Sequence, residues 1–253
     1  ELDNLLYKIT RTFDLSGLRE FTIEAGRPDT ITESKLEVMQ KYGVDRISIN
    51  PQSMNDKTLE MIGRKHTVEQ VYKAFELAKQ YNFKCINMDV IAGLPKETVS
   101  EFAHTIDAVT DLEPENITVH TMSIKRAAKL NQDRDFAGLP EDFDVAEMIS
   151  YAHGKLQNTG YEPYYLYRQK NILGDLENTG FSRRNTPGIY NICMMEEIRS
   201  VLSAGVGAVT KLVRGDRIER IFNVKDVREY LKRAAEMRER KNYIYEFLNL
   251  EVQ

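Results

Sequence analysis

Cys85-Ile-Asn-Met-Asp-Val-Ile-Ala-Gly-Leu-Pro95, running on into Thr98-Val-Ser-Glu101, decides the fold. Ile86, Met88 and Val90 are apolar and Asn87 and Asp89 between them are polar, the period of two that a strand imposes on its side chains. Gly93-Leu94-Pro95 ends the run in a turn. The Thr-x-x-Glu spacing that follows is a capping box, in which cap and third-residue side chains satisfy each other's orphan amides. A strand that feeds a capped helix through a short turn is the repeating unit of a parallel α/β sheet.

Working outward, similar runs stand at Glu20-Phe-Thr-Ile-Glu24, Arg46-Ile-Ser-Ile-Asn-Pro-Gln52 and Asn116-Ile-Thr-Val-His-Thr-Met-Ser123. Helix-period stripes separate them: Leu5, Leu6, Ile9 and Phe13 in 2–13; Leu36, Met39 and Tyr42 in 33–43; Val68, Val71, Phe75 and Ala78 in 67–82; Phe102, Ile106 and Val109 in 98–112. Thr67-Val-Glu-Gln70 is a second capping box. Right-handed crossovers then build a partial (β/α) barrel with parallel strands, because a closed eight-unit barrel takes about 250 residues by itself. We divide the chain into this part, 1–123, and a C-terminal α+β region, 124–253. The latter contains a polar connection to Pro140, a helix over 142–158, a Tyr-rich segment ending in Arg168-Gln-Lys170, turn-rich residues 174–188, Ser203-Ala-Gly-Val-Gly-Ala-Val209, and a charged helix over 224–240.

The chain has 253 residues, 42% hydrophobic and 29% charged, which excludes disordered and collagen-like classes. No apolar run approaches the roughly 20 residues that span a bilayer, and Glu1-Leu2-Asp3 does not open a leader peptide, so a cytoplasmic location away from membranes is expected. A net charge of −4 points away from nucleic acid. Cys85 and Cys193 are too far apart in sequence to suggest a disulfide framework or a Cys-x-x-Cys site.

Alternation sends Ile47, Ile49, Ile86, Met88, Val90, Ile117 and Val119 toward the covering helices. It sends Thr22, Glu24, Ser48, Asn50, Gln52, Asn87, Asp89, Ile91, Thr118, His120 and Met122 to the other side. Carboxylates, amides and an imidazole thereby converge near the carboxyl ends of parallel strands, where such sheets bind ligands. The alternative is a wet interior in which these groups satisfy one another. Arg64, beyond the short helix 56–63, could reach over the same opening or lie on the surface. Gly205-x-Gly207 lacks the third glycine of a phosphate loop and reads better as a close backbone approach to a ligand or a neighbouring strand. The Tyr-rich segment is either an amphipathic strand or an aromatic wall for a planar, carboxylate-bearing molecule, with Arg168 and Lys170 as its cations.

Glu24-Ala-Gly-Arg-Pro-Asp-Thr30, Ser48-Ile-Asn-Pro-Gln52, Asn55-Asp-Lys-Thr-Leu-Glu-Met-Ile-Gly-Arg64 and Asn87-Met-Asp-Val-Ile-Ala-Gly-Leu-Pro95 together resemble the oxygen-independent coproporphyrinogen III oxidase family of radical S-adenosylmethionine enzymes. Val119-His-Thr-Met-Ser-Ile-Lys-Arg126 and Tyr164-Tyr-Leu-Tyr-Arg-Gln-Lys-Asn171 are similar to its anaerobic coproporphyrinogen dehydrogenase branch. The resemblance implies a radical-SAM-type barrel, a 4Fe-4S cluster that cleaves S-adenosylmethionine, and oxidative decarboxylation of the propionates of coproporphyrinogen III to vinyl groups in haem biosynthesis. It also implies a flavodoxin- or ferredoxin-type electron donor. By the same resemblance Glu24 holds the cluster-bound S-adenosylmethionine. Gln52, Arg64 and Asp89 match positions assigned to a second one, Ile91 matches an apolar contact to adenine, and Ser123 a backbone contact; Arg168 or Lys170 would hold propionates. The family's Cys-x3-Cys-x2-Cys motif is absent, so the resemblance implies a fragment without its cluster-binding part, inactive as it stands. Relatives that carry haem as chaperones, or that act on haem by radical chemistry, leave those two functions open.

Overall fold

The computed structural model describes residues 1–123, 138–168, 172–183 and 185–248. Lys170 and most of the polar connection lie outside them. Two compact units divide at Ile189 and Tyr190.

In the first unit, helix α1 (Leu2–Thr12) leads to β1 (Thr22–Gly26), α2 (Glu33–Lys41), β2 (Arg46–Ile49), α3 (Asp56–Met61), α4 (Val68–Lys79), β3 (Cys85–Ala92), α5 (Val99–Leu112) and β4 (Asn116–Thr121). Then come α6 (Asp142–Asn158), β5 (Glu162–Tyr167) and β6 (Asn178–Ser182). The six strands form one sheet in the order β1-β2-β3-β4-β6-β5. The first four run parallel, as the strand–helix alternation requires. β6 pairs antiparallel with β4, and β5 antiparallel with β6. The expected α/β partial barrel is therefore present, and the Tyr-rich segment is one of its strands.

Both capping boxes form, Thr67 with Gln70 and Thr98 with Glu101. The helix stripes bury Leu36 and Met39, Val71, Phe75 and Ala78, Phe102, Ile106 and Val109, and Val145, Met148 and Leu156, against Ile47, Ile49, Ile86, Met88, Val90, Ile117 and Val119 of the strands. At about 2 kcal/mol for each large apolar side chain removed from water, this layer is the principal favourable contribution to the unit's stability. The first strand begins two residues later than its sequence pattern suggests. Glu20 is drawn out of the ladder by the Ile189 amide at 2.6 Å and by Arg46 at 3.8 Å.

The second unit contains the hairpin β7 (Val209–Arg214) and β8 (Arg217–Phe222), followed by α8 (Val227–Lys232), α9 (Ala234–Arg240) and α10 (Tyr243–Leu248). The charged helix expected over 224–240 is thus two helices, broken at Arg233, whose backbone leaves helical geometry while its guanidinium grips Glu236. The glycine stretch does make a close backbone approach, and to its own chain: Gly207 N–H donates to Val224 O at 2.8 Å and Gly205 O accepts from Asn223 at 2.7 Å.

Candidate functional site

The sheet face turned away from the helices carries a nearly continuous chain of polar contacts. Ser48 Oγ donates to Glu24 Oε2 at 2.5 Å, and Asn50 Nδ2 lies 3.5 Å from the same oxygen. Ser48 is the register partner of Asn87 on β3. Asn87 Nδ2 donates to Asp89 Oδ1 at 2.8 Å, Thr118 Oγ1 donates to Asn87 Oδ1 at 3.2 Å, and His120 Nε2 stands 3.7 Å from Asp89 Oδ2. Glu24 and Asp89 therefore share one face, separated by β2 alone, or about 10 Å across the sheet at the usual strand spacing. Glu24 is exposed and Asp89 and His120 are half-buried, so both carboxylates are accessible. Asn50 Oδ1, by contrast, is buried without a hydrogen-bond partner, an acceptor on the cavity side that a ligand donor would satisfy.

Gln52 closes the end of β2. Its N–H donates to Asp89 O at 3.0 Å and its carbonyl accepts from Ile91 N–H at 2.9 Å, so it clasps β3 beyond the regular register. It does so with φ of 68°, a conformation that costs a non-glycine residue of order 1 kcal/mol and is concentrated at functional sites. The loop bearing Arg64 is tied to the same spot, because His66 lies 3.1 Å from the Pro51 carbonyl through its Nε2. Burial and the Arg64 charge hold His66 below the usual imidazole range, with the Pro51 contact opposing them. Arg64 is half-buried and has no side-chain hydrogen bond or ion pair among the described residues, which leaves its guanidinium for an anion. Ile91, half-buried, follows Asp89 on this face, and Ser123 sits just past β4, bridged to Ile172.

Of the residues singled out from sequence, Glu24, Asp89 and Ile91 thus share the face, Gln52 and Ser123 lie at its carboxyl end, and Arg64 stands in the loop that His66 ties to Pro51. Arg168 is already engaged: its guanidinium holds Asp175 at 3.0 Å and Glu177 at 3.4 Å, so a substrate carboxylate would have to compete with both. One further feature escaped the sequence reading, and the Tyr-rich segment, read there as a strand or an aromatic wall, takes a definite face. Glu97, in the loop after β3, is buried behind Gln52; Ser53 Oγ donates to its Oε1 at 2.7 Å and its Oε2 has no partner. Tyr164, Tyr165 and Tyr167 turn onto the same face as His120. The usable sign was Gly180, a glycine inside a strand-like run, which marks a close approach.

The residues present do not fit an iron–sulfur cluster. Cys85 is buried within β3, its thiol donates to Asn116 Oδ1 at 3.3 Å, and burial pushes it up to about 12, so it stays protonated and cannot ligate iron at neutral pH. Among the described residues no group of three His, Cys, Asp or Glu side chains is placed to hold a metal ion. The acceptors and the unpaired Asn50 oxygen do fit a polar, cationic nucleoside.

Residues 3–109 match the radical SAM superfamily. The chain is 46% identical over 236 residues to the oxygen-independent coproporphyrinogen-III oxidase-like protein HemZ of Bacillus subtilis, covering 92% of this chain and 47% of that one. It is 30% identical over 167 residues to the heme chaperone HemW of the same organism, covering 65% of this chain and 44% of HemW. In three dimensions it is similar to coproporphyrinogen III oxidase (HemN) from Escherichia coli, with a TM-score of 0.72 and 22% identity over 93% of this chain and 53% of that structure. The chain spans about half the length of the curated relatives it matches.

Proposed function

We propose that this chain, which belongs to the radical SAM superfamily, is the S-adenosylmethionine-holding and substrate-facing portion of a coproporphyrinogen dehydrogenase-like enzyme. The observation that carries this reading is the shared face: two accessible carboxylates, an unpaired buried acceptor and an uncommitted arginine border the carboxyl ends of parallel strands. Superfamily membership implies S-adenosylmethionine and a 4Fe-4S cluster in general, and thiolates for such a cluster would have to come from outside these 253 residues.

Each side chain has a task that its chemistry suits. Glu24 and Asp89 accept hydrogen bonds from an ammonium or from ribose hydroxyls, Asp89 with its oxygens oriented by Asn87 and faced by His120. Arg64 pairs with the ligand carboxylate, Ile91 packs on adenine, and Gln52 and the Ser123 backbone close the rim. Residues 1–123 supply this site; the substrate is a porphyrinogen whose propionates are oxidatively decarboxylated, and a flavodoxin or ferredoxin is the electron donor for S-adenosylmethionine cleavage. Among the described residues no helix is long and apolar enough to cross a membrane.

Equilibrium dialysis against S-adenosylmethionine, carried out on a longer polypeptide that places three closely spaced cysteines before these residues and is reconstituted without oxygen, tests the binding role. Glu24→Ala and Asp89→Ala should each weaken binding about tenfold or more, the loss of a charge-assisted hydrogen bond; unchanged binding in both variants would return the carboxylates to a purely structural role. Similarity to HemW supports a second reading, haem carriage. The two separate on products: a longer polypeptide that places three closely spaced cysteines before these residues, reconstituted without oxygen, should convert coproporphyrinogen to vinyl-bearing products. Haem binding with no such conversion would favour carriage.

A further inference from the structure

The loop that follows β2 begins in a strained conformation and leads on to Arg64, so its neighbours must hold it. Gln52 keeps φ of 68° only while its surroundings fix it, because nothing in a glutamine favours a left-handed backbone. The next three residues are each tied to the segment that starts α5. Ser53 Oγ donates to Glu97 Oε1 at 2.7 Å, Met54 N–H donates to Thr105 Oγ1 at 3.0 Å, and Asn55 Nδ2 donates to Glu101 Oε1 at 3.2 Å. The hydroxyl oxygens of Ser53 and Thr105 stand 3.4 Å apart, and both residues are fully buried. Asn55 also caps α3 by accepting from Lys57 N–H at 3.0 Å, and the Arg64 amide donates to Leu59 O of that helix at 2.8 Å. One set of contacts therefore fixes Gln52 and, through α3, the backbone of Arg64.

Glu97 is the buried ionisable group of this set. Protonated, it accepts from Ser53 and carries no charge. Ionised, it would hold a full charge where Ser53 is its donor and Oε2 meets none. Burial raises its carboxyl to about 7, against the Ser53 hydrogen bond and with a further push from Glu101. Glu101 itself stays ionised, because the Thr98 amide and hydroxyl, then Asn55 and Lys57, hold it below the ordinary range. His66, at the Pro51 carbonyl, is held below the usual imidazole range and is neutral at pH 7 and above. Relief for an ionised Glu97 comes from water, which reaches it when the loop lifts from α5, and that movement frees Gln52 from its strain.

We infer that Glu97 is a positioning residue for the nucleoside site: in its protonated form it locks the loop after β2 against the start of α5, and so holds Gln52 and Arg64 where the ligand meets them. This assignment deepens the function proposed above and rests on it for what the loop serves, while the lock itself follows from the contacts of Ser53, Met54 and Asn55. Affinity for S-adenosylmethionine should then follow the protonated fraction of Glu97. With half-protonation at about pH 7, about nine-tenths of the protein is competent at pH 6 and about one-tenth at pH 8, so binding should weaken about tenfold over that interval.

The test compares the unaltered protein with Glu97→Gln, both as the longer polypeptide with three closely spaced cysteines before these residues, reconstituted without oxygen. Equilibrium dialysis at pH 6 and pH 8 should show the tenfold loss in the unaltered protein and nearly constant affinity in Glu97→Gln, which carries no charge at any pH. At pH 8 the unaltered protein should take up about one proton more than the variant on binding, as linkage requires. Taking the ratio of the two proteins at each pH removes the effect of groups they share, His120 beside Asp89 among them. Hydrogen exchange of residues 52–64 reads the lock without any ligand: the two proteins should match at pH 6, and the unaltered one should exchange several-fold faster at pH 8. Equal exchange at both pH values would overturn the lock. Affinity that does not change with pH, or that falls equally in both proteins, would overturn its role at the site. Absence of S-adenosylmethionine binding at every pH would sink the proposed function and with it what the lock serves, while exchange would still decide whether Glu97 holds the loop.

Discussion

Replacing Glu97 by Gln should make the protein more stable at alkaline pH and leave it nearly unchanged in acid. Glu97 is 3% exposed, its Oε1 accepts from Ser53 and its Oε2 meets nothing that can donate. Burial, reinforced by Glu101, raises its carboxyl from the ordinary 4.5 to about 7, against the opposing effect of the Ser53 hydrogen bond. Because the folded value lies above the unfolded one, the native state holds the proton more tightly. The associated stability is fully present below pH 4.5 and is lost as pH rises through about 7. The interval is equivalent to about 3 kcal/mol, a large fraction of what usually holds a domain together. Glutamine preserves the oxygen that Ser53 needs and carries no charge at any pH. Urea unfolding of both proteins from pH 4.5 to 8.5 should therefore show curves that coincide in acid and diverge by about 3 kcal/mol in base, with Glu97→Gln the more stable. Taking the difference between the two proteins cancels every other titrating group. A difference that does not change with pH would refute the assignment of Glu97 as a carboxyl held protonated by burial.

Thiol chemistry provides an independent check on burial: at pH 8 the half-buried Cys193 should react with a maleimide while Cys85, whose burial keeps it protonated, reacts only after denaturant is added, and simultaneous labelling of both would contradict the placement of Cys85 in β3. Thr98→Ala should lower stability by about 1 kcal/mol in denaturant melts by breaking the capping box of α5, and should shift stability without changing the chain's affinity for S-adenosylmethionine. Leu36→Ala, at a position with no solvent exposure between α2 and the sheet, should cost roughly 2–5 kcal/mol, and a loss below 1 kcal/mol would show that the α2–sheet layer is not close-packed.

Much of the cavity face was legible before any coordinates, because the information is local. In a strand the side chains alternate whatever the partner, so Asn87 and Asp89 had to oppose Met88 and Val90, and the observed burial of Met88 and Val90 follows. The helices were marked by caps whose hydrogen bonds close within four residues. The parallel connection of the first four strands followed from chain length between them and the handedness of crossovers. Arg64 illustrates the limit: its neighbourhood to Gln52 depends on His66 reaching the Pro51 carbonyl across fifteen residues, and no periodicity announces that contact.

Local chemistry in the chain, then, determined which residues form strands and helices, which side each strand residue takes, and where the helices start. Tertiary structure alone decided that β6 and β5 would turn antiparallel onto β4, that an inserted residue would bring Tyr164 beside Tyr165, that Gly180 would lie under the tyrosine ring, and that Glu97 would lose its water. The physical reason is the range of the interactions. Propensity and alternation act over a few residues, whereas register, bulges and desolvation are settled only when segments separated by tens of residues meet and compete for the same space.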